Sequence, residues 1–196
     1  MGSKLASDNS TYVSEDVQKA AKILVVGHFA VGKTTLIGTL SEIAPLRTEE
    51  TMTQAGSHID DLKGVRGKTT TTVAMDFGRL TLSEKLVLYI FGTPGQQRFL
   101  QVWEDMSRGA LGALILVDPE RLEESFPVID LVEQYGLEYA IAVNQFDDHR
   151  QHPAEELREA LDLLPHTPVV TCDARDRKSS ANALITLVRY LLNRHP

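Results

Sequence analysis

The stretch Gly27-His28-Phe29-Ala30-Val31-Gly32-Lys33-Thr34 follows directly on the apolar run Ile23-Leu24-Val25-Val26. It fits the pattern G-x-x-x-x-G-K-[ST] in the setting that pattern needs, a buried strand before it and a helix after it. Two glycines allow successive backbone N–H groups to turn inward around a phosphate. Lys33 brings a point charge toward the β and γ groups, and Thr34 offers a hydroxyl to Mg²⁺. The helix that follows aims the positive end of its dipole at the anion. The pattern implies a site for a nucleoside triphosphate at the end of a sheet strand.

The rest of the 196 residues suit one α/β domain with a substantial core. A net charge of −7 with no basic stripe argues against a general nucleic-acid binder. The single cysteine, Cys172, forms no internal disulfide and fits a reducing compartment. The longest apolar run, around Ala113 to Val117, is far short of a membrane span. Neither a myristoylation signal at Met1-Gly2 nor a prenylation cysteine before Pro196 is present, so no direct membrane anchor is expected. The expected location is cytoplasmic, with any membrane recruitment coming through a partner.

Residues 1–20 are polar and weakly patterned and read as a leader, leaving 21–196 as the folded domain. From Lys22 onward apolar runs alternate with amphipathic stretches, the mark of βαβ units. The spacing predicts strands at Lys22–Val26, Thr72–Leu80, Lys85–Phe91, Leu111–Val117, Tyr139–Asn144 and Pro168–Thr171. The second and third of these form an antiparallel hairpin through Thr81–Glu84. Helices are expected at Lys33–Ile43, Gln97–Ser107, Glu120–Tyr135, Pro153–Leu163 and Ser179–Leu192, with a bend or early break at Pro127. In the last helix Leu184, Leu187, Val188 and Leu191 form a core stripe, with Ser179 or Ser180 as cap. The expected fold is therefore a six-stranded, mostly parallel sheet with one antiparallel edge strand, flanked by about five helices. Between Ala44 and Lys68 lie roughly 25 residues without periodicity, a length that is usually functional.

Four further segments carry chemistry. Phe91-Gly92-Thr93-Pro94-Gly95-Gln96 closes the third strand; a glycine there can donate its N–H to a γ-phosphate, and an adjacent glutamine can orient water. One of the four threonines Thr69 to Thr72 can complete a Mg²⁺ shell, while strand propensity accounts for the others. Asn144-Gln145-Phe146-Asp147 follows the fifth strand, and a carboxylate at Asp147 can accept from guanine N1–H and its 2-amino group, a pair adenine lacks. Thr171-Cys172-Asp173-Ala174-Arg175 follows the sixth, where a backbone N–H near Ala174 can meet the guanine O6.

Together, in this order, these segments resemble the Ras-like small GTPase superfamily. The threonine run with Met75-Asp76-Phe77-Gly78, the Phe91–Gln96 segment and Arg108-Gly109-Ala110-Leu111-Gly112-Ala113 look more like its bacterial branch. The likeness is greatest to the actinobacterial conservon GTPases, related to the gliding-motility small GTPases. The resemblance implies a GTP/GDP switch with Mg²⁺ held by Thr34 and Thr72, and with Lys33, Thr72 and Gln96 as catalytic groups. Nucleotide contacts are implied for Gly27, Phe29, Ala30, Val31, Gly32, Lys33, Thr34, Thr35, Thr72, Gly95, Asn144, Gln145, Asp147, Asp173, Ala174 and Arg175. It also implies a roadblock-family regulator near a sensor-kinase-like membrane protein.

Three departures from that pattern bear on mechanism. Gly92 stands where most relatives carry an aspartate that holds a Mg²⁺-bound water; Asp76 is a candidate substitute, though an extended strand puts it about 13 Å from Thr72. Phe29 is bulky where a small residue is usual, which crowds an incoming arginine finger unless the ring folds back. Slow hydrolysis follows either way, from a baseline of about 10⁻⁴ s⁻¹ for unassisted small GTPases. Gln145 replaces a lysine whose stem covers the base. None of Arg66, Lys68 and Arg98 immediately precedes Thr72, so a self-supplied finger has no support. The stripe Phe99, Val102, Trp103, Met106 reads as core, or as a partner anchor if Trp103 is exposed. Two rivals remain: a GTP-loaded scaffold that does not hydrolyse, and an ATPase whose Walker B carboxylate is Asp118 after Leu114-Ile115-Leu116-Val117.

Overall fold

Runs such as Gly112–Val117 and Tyr139–Asn144, buried at every position, satisfy their apolar content only as inner strands of a sheet covered on both faces. A computed structural model of the chain describes residues 19–44, 46–47, 75–93, 100–146 and 152–194 and places these runs in that way. In chain order the elements are β1 (Lys19–Val26), α1 (Lys33–Leu40), β2 (Leu46–Arg47), β3 (Asp76–Ser83), β4 (Leu86–Gly92), α2 (Leu100–Ser107) and β5 (Gly112–Val117). A 3-10 turn at Leu122–Ser125 leads into α3 (Phe126–Gln134), followed by β6 (Tyr139–Asn144), α4 (Ala154–Ala160), β7 (Val169–Cys172) and α5 (Arg177–Arg194).

The sheet order is β2-β3-β4-β1-β5-β6-β7. All six expected strands are present, and the two-residue β2 extends the sheet beside β3. β1, β4, β5, β6 and β7 are parallel, so their carboxyl ends share one edge. β3 runs antiparallel to β4, so its first residue, Asp76, reaches that same edge opposite Gly92. The pleat sends alternate residues to opposite faces. Ile23 and Val25 pack with Leu36, Ile37, Leu184 and Leu187 under α1 and α5. Leu24 and Val26 pack with Trp103, Met106, Ile129 and Val132 under α2 and α3. Trp103 is 3% exposed and stacks on Tyr135, so it is core and not an anchor for a partner.

Three helix boundaries differ from expectation for local reasons. α1 stops at Leu40 because Ser41 turns extended, and its hydroxyl accepts from Arg79 N–H and donates to Ile43 O. The stretch from Glu120 divides at Pro127, which sits in the first turn of α3 where its missing N–H has no helical partner to lose. α5 begins at Arg177, ahead of both serines. Asp176 Oδ1 caps it by accepting Ser179 N–H at 2.7 Å, while Ser179 Oγ accepts from Asp173 N at 2.9 Å. Residues 97–99 of the expected second helix lie outside the described residues. Among the described residues no helix is long and apolar enough to cross a membrane.

Candidate nucleotide site

The loop between β1 and α1 is shaped by close approach. Gly27 has φ 145° and Gly32 φ 109°. A Cβ on Gly27 would sit 2.5 Å from Leu116 O, and one on Gly32 would sit 2.6 Å from Asn144 Nδ2. Only glycine fits either place. Val31 is buried and anchors the loop, while Phe29, Ala30, Thr34 and Thr35 face outward. Gly32 caps α1 without a side-chain hydrogen bond, which leaves the first-turn N–H groups of the helix directed at the loop.

Lys33 folds back over the loop and donates to Gly27 O at 2.8 Å and His28 O at 2.7 Å. Burial holds its pKa down to about 8, against an opposing pull from Asp76. His28, which the sequence did not single out, is 4% exposed, and its Nδ1 lies 2.8 Å from Phe29 O. Burial lowers its pKa and keeps it neutral, so Nδ1–H is the donor to that carbonyl. The Phe29 ring does not fold back: it is 65% exposed on the outer rim of the loop.

On one side of the loop a hydroxyl meets a carboxylate. Thr34 Oγ1 donates to Asp76 Oδ2 at 2.5 Å, and Asp76 is 3% exposed. Thr93 continues from β4 with its N–H bonded to Val25 O at 3.1 Å, which holds the end of β4 against β1. Asp118 closes β5. Its Oδ1 accepts Glu120 N–H at 3.0 Å in the turn after β5, so the carboxylate at Thr34 is Asp76.

The other side is a tie between three loops. Asn144 Nδ2 donates to Val31 O at 2.8 Å, and its Oδ1 accepts Ala174 N–H at 3.0 Å. Both ends of this carboxamide are therefore committed, and Asn144 holds the phosphate loop and the loop after β7 in register. Asp173 forms a two-point ion pair with Arg175 (Nε–Oδ1 and Nη2–Oδ2, each 3.0 Å) and accepts Arg175 N–H at 2.9 Å. These bonds hold the Asp173 carboxyl below its usual pKa. Gln145 Nε2 turns toward Val143 O at 3.4 Å. Cys172 is buried, with its thiol pushed up to about 11, so it is a packing residue. Thr72, Gly95, Gln96 and Asp147 lie outside the described residues, as does the Ala44–Lys68 segment apart from its first residue and β2.

A family model described as conserved hypothetical ATP binding protein matches residues 25–194. An uncharacterised protein of Methanocaldococcus jannaschii is 34% identical over 128 residues, covering 64% of this chain and 70% of that protein. A mouse Ras and EF-hand domain-containing protein homolog is 31% identical over 133 residues; the match takes in 64% of this chain but only 18% of the mouse protein. Among solved structures, the FeoB G domain of Methanococcus jannaschii aligns with a TM-score of 0.59 at 14% identity, covering 89% of this chain and 99% of that one. The G domain of the T. maritima FeoB iron transporter aligns at 0.61 and 18%, covering 88% and 99%. At these identities the likeness is one of fold, and the fold is that of a G domain.

Proposed function

The chain belongs to the family described as conserved hypothetical ATP binding proteins, and from that premise we propose that its nucleotide is GTP and its role a molecular switch whose hydrolysis is slow and intrinsic or dependent on a partner. The observation that carries this reading is the Asn144 tie, which joins the phosphate loop to the loop after β7. The segment ending in Asp147 follows Asn144 directly in the chain, which supports a base reader joined to the phosphate cradle.

Lys33 and the loop amides would stabilise the phosphates, and Gly95 N–H would sense the γ group. Mg²⁺ fits the site, because the Thr34 hydroxyl and the Asp76 carboxylate are hard oxygen donors that already meet there. Thr34 and Thr72 would hold the ion, which when bound neutralises charge on the phosphate oxygens. Gln96 would orient water for in-line attack. Asp147 would select guanine, with Asn144 keeping its segment in place. The segment from Ala44 to Lys68 and the Gln97–Ser107 region would change shape between nucleotide states. The bacterial conservon branch supplies the partner reading, a roadblock-family regulator that links the switch to a sensor-kinase-like membrane protein.

A GTP-loaded scaffold is the second reading, favoured by the exposed Phe29 ring on the loop rim. Competition between nucleotides and single-turnover assays separate these readings. GTP should displace a fluorescent GDP at least a hundredfold better than ATP, and Asp147→Ala should abolish that preference. ATP binding as tightly as GTP would sink the guanine reading. Hydrolysis that stays at background with the roadblock protein added would favour the scaffold.

A further inference from the structure

Gly92 ends β4 at the place where a carboxylate would usually support the metal, and its register partner on β3 is Asp76. A Cβ built on Gly92 would lie 3.1 Å from Asp76 Cβ, 3.5 Å from its Oδ2 and 2.8 Å from Ile37 Cδ1. A side chain at 92 and the carboxylate of Asp76 therefore contend for one volume. Asp76 holds it, 3% exposed, with Oδ2 accepting the Thr34 hydroxyl.

We propose that the carboxylate supporting Mg²⁺ has been transposed across the β3–β4 pair, from position 92 to Asp76, and that Gly92 is the blank that admits it. The topology makes the exchange natural. Because β3 is antiparallel, its first residue and the last residue of β4 reach the same sheet edge, side by side. The hydroxyl of Thr34 has one proton and two lone pairs. Giving the proton to Asp76 leaves the lone pairs for a cation and makes the oxygen a better donor. A buried carboxylate is costly unless a positive charge compensates it. Lys33 supplies part of that compensation, since Asp76 works against the burial that depresses its pKa. A divalent ion at Thr34 would add to it. Mg²⁺ commonly takes one or two carboxylates and keeps several waters, so one Asp76 reached through Thr34 and water is enough.

This inference rests on the nucleotide-binding reading, and its test separates the two. Fluorescent GDP is bound to the full chain in EDTA and then titrated with Mg²⁺, following the dissociation rate. Asp76→Asn keeps the shape and an acceptor for Thr34 but removes the charge. It should raise the Mg²⁺ concentration needed for half-maximal retention at least tenfold, read for each variant relative to its own GDP affinity in EDTA. Gly92→Asp alone should also weaken Mg²⁺ retention, because it crowds Asp76 and sets two carboxylates together. The transposed pair Asp76→Gly with Gly92→Asp should return to within about threefold of wild type. Circular dichroism and Tm on each variant confirm that it is folded. An unchanged Mg²⁺ dependence in Asp76→Asn, or a double variant no better than Asp76→Gly, overturns the transposition. Failure of the wild type to bind GDP under any condition removes the reading beneath it instead.

Discussion

Lys33 carries a charge in surroundings that resist it, and that tension is measurable. Its ammonium is buried on two carbonyls, and its pKa falls from 10.5 to about 8. A bound phosphate favours the ammonium and raises the pKa of the complex above that of the empty site. Binding therefore takes up a proton wherever the empty site has lost one. Affinity for GDP should be flat below pH 8 and fall as pH rises through it, by up to tenfold per pH unit. Isothermal titration from pH 7 to 9 in buffers of different ionisation enthalpy reads both the slope and the proton uptake. In Lys33→Arg the guanidinium stays charged, so the slope contributed by this residue should vanish even if affinity drops. A wild-type affinity that does not change across the window would show that the lysine keeps its proton in the empty site. The same scale shows what the sequence could convey. Gly27, Gly32 and Lys33 were readable because the motif fixes their order, whereas His28 left no signal beyond its place inside the loop.

At the level of elements the strands were legible because each is a short apolar run between turn residues, and the antiparallel hairpin followed from its tight turn. The helix ends were less so, because side-chain hydrogen bonds to distant backbone decide them. Ser41 ends α1 through Arg79, 38 residues away. On α5 the serines that look like caps are occupied elsewhere, Ser179 by Asp173 N–H and Ser180 by Asp173 O, which leaves Asp176 to cap. Asp176→Ala should cost about 1 kcal/mol in urea denaturation, the ordinary value of an N-cap. Ser179→Ala should instead loosen the loop at Asp173 and weaken nucleotide binding more than it lowers stability. Equal stability losses with no binding difference would return the cap to Ser179. Asp76 shows the same limit within the site. Measured along β3 it is far from Thr72, but measured across the hairpin it is opposite Gly92, and only the paired register makes the second distance visible.

Across the whole molecule, five parallel strands deliver their loops to one edge, and the antiparallel β3 delivers its first residue there too. The two faces of the sheet are packed by separate clusters, to both of which β1, β5 and β6 contribute alternate residues. Val31 and Ala174, bridged by Asn144, link the phosphate loop to α5, and the contact of Thr34 with Asp76 links α1 to β3. A ligand that engages all of these loops stabilises elements from both ends of the chain at once. It should therefore raise the melting temperature of the domain as one unit instead of protecting a part of it. At a hundred times Kd, the gain from a ligand that binds only the folded state is about 2.7 kcal/mol. For a chain of this size that corresponds to a shift of roughly 5–10 °C. Differential scanning calorimetry with GDP and Mg²⁺ should show a single transition moved by that amount. ATP at the same concentration should move it far less, and Asn144→Ala should shrink the GDP shift because the loops no longer share a tie. Two transitions, with only one of them moved by GDP, would mean that the loops at this edge bind ligand without coupling the sheet.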